Sequence, residues 1–168
     1  MAIIAIDPGA SGAIAYFDDR EHHEEVKVVK MPKTHYDFGD EISRIMRDTD
    51  CNNPTVYFEN VGGYRPGNSG PASVKFARHI GQMEGVFVWA ACPVIMVTPL
   101  TWMKTLGSVP KEKKDRKNWI KLKMQQRYPH LKPTLSTADA LGLLTYAMEK
   151  EYGSNRIDSE GKEPVCGT

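Results

Sequence analysis

The sequence predicts an α/β fold, a five-stranded mixed sheet with helices on both faces. Two observations carry this. Three strand-like segments crowd the first thirty residues, and strands and helices alternate after them. The first strand is apolar throughout, as a strand covered on both faces must be.

Ala2 to Ile6 is that continuous apolar run, and Asp7-Pro8-Gly9 breaks it. Ser11-Gly12 completes a turn, and Ala13 to Phe17 returns as a hairpin partner. Val26 to Val29 is a third strand. Tyr36 to Arg47 reads as a helix with Ile42, Ile45 and Met46 on one face. Thr55 to Phe58 is a fourth strand, ending at Glu59. A loop with Gly62, Gly63, Gly67 and Gly70 follows, too glycine-rich for regular structure. Pro71 to Ala91 is a long helix with two stripes. One is apolar (Phe76, Ile80, Met83, Phe87). The other is small (Ser73, Ala77, Gly81, Gly85) and suits close approach to a sheet or a second helix. Pro93 to Val97 is the fifth strand. Lys114 to Arg127 and Ser136 to Lys150 are the last two helices, the second with Leu141, Leu144 and Met148 facing inward. The domain spans residues 1–150, and 151–168 read as a polar tail.

A chain of 168 residues with 40% hydrophobic and 26% charged residues fits one globular domain. No stretch approaches the roughly 20 apolar residues of a membrane helix. The start, MAIIAIDPGA, lacks the basic region of a secretory signal. Cys51, Cys92 and Cys166 are sparse, odd in number and without a CxxC pair, so reduced thiols and a cytoplasmic setting are expected. The net charge of +1 hides an asymmetry. Lys104 to Lys123 holds eight cations and two anions, whereas Asp18 to Glu25 holds five carboxylates and one Arg. A basic stripe of that kind is either a phosphate-binding footprint or a solvated helix face.

Three carboxylates stand where carboxylates are awkward. Asp7 and Glu59 end apolar strands, and Asp139 lies in the first turn of an apolar helix. Burying such groups is costly unless they are paired or hold a cation. If they converge, repulsion raises their pKa values unless metal ions neutralise them, and oxygen donors suit Mg²⁺ or Mn²⁺. Each also has an ordinary reading. Asp7 favours a turn, Glu59 can end a strand in solvent, and Asp139 can close a capping box with Ser136.

Four segments carry a resemblance. IAIDPGASGAIAYF resembles the opening strand, turn and strand of the RuvC-type Holliday-junction resolvases, and VYFENV the strand bearing their catalytic Glu. GQMEGVFVWAA with PVIMVTP and Lys104 is similar to their long helix, next strand and helix start. TADALGLLTYAM is similar to their last helix. The segments keep the family's order from Met1 to about Lys150. The resemblance implies an RNase H-like fold and a homodimer that nicks branched DNA at four-way junctions. It implies Asp7, Glu59 and Asp139 as catalytic, metal-binding carboxylates for two Mg²⁺ ions, with Mn²⁺ a substitute. Products would carry a 5′-phosphate and a 3′-hydroxyl. The long helix with Gly81 and Gly85 would join the dimer contact. One departure stands out: the family's fourth metal-site residue, Asp or His, is here Ser136.

Lys114 or Lys117 is placed to offset charge developing on the phosphate. Lys104, Lys111, Lys113, Arg116 and Lys121 would hold backbone phosphates. Tyr64, with Arg65 beside it, is either a stacking residue at the branch or a surface tyrosine. Trp89, Trp102 and Trp119 are read as core. The five histidines show no metal-ligand spacing. Three other readings remain: a nuclease for RNA–DNA hybrids, an actin-like ATPase for which the chain is short, and a junction binder without catalysis.

Overall fold

A computed structural model describes residues 1–19, 25–62 and 69–153. Tyr64, Arg65 and the tail from residue 154 lie outside the described residues. The strands are β1 (Ala2–Asp7), β2 (Ala13–Asp18), β3 (Glu25–Lys30), β4 (Thr55–Glu59) and β5 (Val94–Val97). The helices are α1 (His35–Asp48), α2 (Gly70–Trp89), α3 (Pro99–Met103), α4 (Lys113–Arg127) and α5 (Ala138–Tyr152). The five strands form one sheet in the order β3-β2-β1-β4-β5. β1 and β2 pair antiparallel, as do β2 and β3, while β1, β4 and β5 run parallel. The mixed sheet expected from the sequence is present.

Strand periodicity splits the core into two layers. Ile4, Ile6, Ile14, Tyr16, Val56 and Phe58 pack with Phe38, Ile42 and Ile45 of α1 and Met83 and Phe87 of α2. Ile3, Ala5, Ala15, Phe17 and Tyr57 pack with α4 and α5 on the other side. β1 is therefore covered on both faces, which explains its unbroken apolar run.

Turn and cap chemistry follow from the sequence. Thr34 and Asp37 form a capping box at the start of α1, each accepting a backbone N–H from the other. Ser69 caps α2, with Pro71 in the first turn. Glycine is required at Gly12, where an added Cβ would lie 2.0 Å from the Asp7 carbonyl oxygen. The hairpin thus folds back across the backbone of Asp7 itself.

Four expectations need correction. The last helix begins at Ala138, not Ser136, because Thr134 to Thr137 close a turn: the Thr134 N–H donates to Thr137 Oγ1 at 2.9 Å. It continues to Tyr152, whose hydroxyl donates to Asp19 and whose ring meets Phe17 edge-on. A short helix, α3, stands between β5 and α4, where the residue pattern gave no separate helix and the resemblance gave only a helix start. Trp89 is not core but 85% exposed. Gly81 and Gly85 are exposed on the same helix, which leaves their expected part in a dimer contact untested by the single chain.

Candidate functional site

Strand alternation decides where the first two carboxylates point. Asp7 shares parity with Ile3 and Ala5, and Glu59 with Tyr57, so both face the layer that contains α5. Parallel pairing aligns Ile6 with Phe58. Asp7 and Glu59 are the next residues on adjacent strands. Asp139 reaches the same place from the first turn of α5.

The three acids share one electrostatic neighbourhood. The Asp7 carboxyl is pushed up to about 8, first by burial, then by the charges of Glu59 and Asp139, against a smaller lowering by Lys117. A side-chain interaction with Glu59 raises Asp7 a little further. Asp139 is also raised, by burial, with Lys117 and Arg116 opposing. Glu59 is only 6% exposed, which removes the reading of a strand end in solvent. The capping-box reading of Asp139 also fails, because the cap residue of α5 is Thr137 and no side chain caps it.

The donor chemistry fits a hard divalent cation: three oxygen acids, Glu59 buried and Asp7 and Asp139 half-buried, whose crowding a cation would relieve. Even so, among the described residues no three His, Cys, Asp or Glu side chains are arranged closely enough to enclose a metal ion. The acids are electrostatic neighbours without forming a closed ligand set.

The basic residues separate by position. Lys117 Nζ lies 3.9 Å from Asp139 Oδ2, and its side chain is 43% exposed. Lys114 is exposed in the first turn of α4, so of the two lysines it is Lys117 that reaches the acids. Arg116 donates to the Lys111 carbonyl at 3.0 Å, which folds the start of α4 onto the preceding loop. Lys104, Lys111 and Lys113 are exposed and Lys121 is half-buried. Ser136 is half-buried, with its hydroxyl 3.4 Å from Thr134 Oγ1. Asp115, in the first turn of α4, is exposed.

One residue at the site was read from the sequence only as core. Trp102 is fully buried, and its indole Nε1–H donates to Glu59 Oε1 at 2.9 Å. A buried tryptophan needs a partner for its N–H. That need was the available signal, but only the fold could name the partner.

At the level of sequence, no protein-family model matches the chain, and no curated protein matches it. The solved structures do match in fold. RuvC of Thermus thermophilus superposes with a TM-score of 0.56 at 18% identity, covering 91% of this chain and 97% of that one. The same protein in complex with Holliday junction substrate gives 0.51 at 17% identity, covering 91% and 96%. The Holliday junction resolvase of fowlpox virus gives 0.53 at 16% identity, covering 89% and 99%. The fold is therefore the RNase H-like α/β fold of RuvC, as the resemblance in the sequence implied.

Proposed function

We propose that this protein is a metal-dependent endonuclease that resolves four-way DNA junctions. The observation that carries the reading is the convergence of Asp7, Glu59 and Asp139 at the ends of two parallel strands and the start of α5, with Lys117 alongside. Structures of similar fold include a junction resolvase and RuvC with junction DNA, which favours branched DNA over an RNA–DNA hybrid as substrate.

In this reading Asp7, Glu59 and Asp139 hold two Mg²⁺ ions, or Mn²⁺ in their place. Such ions supply a water acidic enough to attack phosphorus and a counter-charge for the departing 3′ oxygen. Asp7, which feels the charges of both Glu59 and Asp139, would be a ligand of these ions. Lys117, half-exposed beside Asp139, offsets charge building on the phosphate from the open side. Lys104, Lys111, Lys113, Arg116 and Lys121 bind flanking phosphates, and Tyr64 and Arg65 meet the branch. The products carry a 5′-phosphate and a 3′-hydroxyl. Two copies act together, and the exposed α2 surface of Val74, Val88 and Trp89 beside Ala77, Gly81 and Gly85 supports such a pairing.

The test is incubation with a labelled synthetic four-way junction and with an RNA–DNA hybrid, each with Mg²⁺, with Mn²⁺ and with a chelator. Symmetric nicks in the junction, abolished by the chelator, are expected. Cleavage of the hybrid alone would move the assignment to the other substrate, and no metal-dependent cleavage of either would end it.

A further inference from the structure

We infer that Trp102 is a positioning residue that fixes the Glu59 carboxylate for metal binding. The inference rests on the nuclease reading and adds a residue that reading does not contain. It begins with the path of the chain. β5 runs parallel to β4, with Val97 opposite Glu59, and the Asn60 N–H donates to the Val97 carbonyl at 2.8 Å. Thr98-Pro99 then turns the chain into α3, and within one turn Trp102 is carried over the end of the sheet. The Thr105 hydroxyl donates to the Trp102 carbonyl at 2.8 Å and holds the end of that turn.

The indole is confined on two sides. Its N–H donates to Glu59 Oε1 at 2.9 Å in a fully buried bond. Its six-membered ring lies against the backbone of α5 at Gly142, where an added Cβ would come within 2.6 Å of Cζ3 and 3.2 Å of Cε3. Gly142 is three residues, about one helical turn, beyond Asp139. One rigid ring therefore touches the strand that carries Glu59 and the helix that carries Asp139, and it sets the spacing between them. An indole N–H can only donate. It therefore holds Oε1 as an acceptor and restricts rotation of the carboxyl group, a freedom that metal binding would otherwise have to remove. Groups that orient a metal ligand in this way typically change metal affinity about 10–100-fold when lost.

The test uses the full chain, with Mn²⁺ as the probe. Trp102→Phe removes the donor and part of the ring. Replacing Trp102 by 3-benzothienylalanine keeps the bicyclic shape against Gly142 and exchanges N–H for sulfur. Mn²⁺ affinity is read from the paramagnetic resonance of the free ion, and the fold from metal-free melting. Both variants are expected to bind Mn²⁺ about 10–100-fold more weakly than the parent. The sulfur analogue should melt close to the parent, and its junction cleavage should recover at high Mn²⁺. Parent-like affinity in the sulfur analogue would reduce Trp102 to packing and overturn the inference, leaving the nuclease reading intact. A parent chain whose Mn²⁺ binding is indifferent to Asp7→Asn would overturn both. The unmodified protein gives a second measurement: the ¹H–¹⁵N indole signal of Trp102, identified by its absence in Trp102→Phe, should move on adding Mg²⁺ while those of Trp89 and Trp119 stay. An unmoved Trp102 signal would equally overturn the inference.

Discussion

On the side of the sheet covered by α1 and α2, the inward residues of β1 and β4 are Ile4, Ile6, Val56 and Phe58, all apolar to the strand ends. On the side covered by α4 and α5, the same strands present Ile3, Ala5 and Tyr57 and then finish in Asp7 and Glu59. The second layer carries further polar groups: the Tyr128 hydroxyl lies 2.9 Å from the Thr145 hydroxyl, and Trp102 donates to Glu59. One layer is a plain hydrophobic seal. The other gives up some of that stability to keep acids close together. The difference teaches that a strand with period two can serve both ends at once, because alternate residues never share an environment.

The seal should show the largest effect when broken. Phe87 is fully buried and meets Phe38 and Phe58 edge-on. Phe87→Ala should cost about 3–5 kcal/mol in denaturant unfolding. A loss near zero would mean that this layer does not hold the fold. On the acidic layer, Asp7→Asn, Glu59→Gln and Asp139→Asn should each slow junction cleavage at least about a hundredfold, the scale of losing one charge-stabilising group. Band-shift binding of the junction should stay intact. Variants that cut at the parent rate would remove these acids from the chemistry.

The acidic layer should also make metal-free stability depend on pH. The Asp7 carboxyl sits at about 8 in the fold against an ordinary 3.8, so the native state retains a proton that the unfolded chain has released. That contribution is fully present below about pH 4 and is lost as pH rises towards 8. Asp139 is raised in the same direction. The slope can reach about 1.4 kcal/mol per pH unit for each proton retained. Urea melts of metal-free protein from pH 5 to 8 should show this decline, and Asp7→Asn or added Mg²⁺ should flatten it. Stability that rises with pH would contradict the burial of these acids. The smallest effect belongs to the stripe. Neutralising Lys113, Lys114 or Lys121 singly should weaken junction binding a few-fold and lower its salt slope by about 1. Arg47 on α1, away from the stripe, should show neither change.

How much of this was legible in the sequence depended on distance along the chain. β1, β2 and β4 could be read because burial on one or both faces writes a local pattern, and the DPGASG turn could be read because Gly12 must pass the Asp7 carbonyl. That Asp7 and Glu59 face the same layer needed the register between strands some fifty residues apart, which local pattern does not hold. The same is true of Trp102, whose partner lies 43 residues earlier. Trp89 was misread because residue type speaks for burial only on average. The helix face that carries Trp89 lacks a covering element within the described chain, and a sequence pattern cannot supply one.

The central claim is that Asp7, Glu59 and Asp139 close together around divalent ions. Anomalous diffraction from a crystal soaked in Mn²⁺ tests it most directly. Peaks bounded by oxygens of these three side chains, lost in Asp7→Asn, are the predicted result. Mn²⁺ bound only elsewhere on the surface, with none against these three side chains, would contradict it.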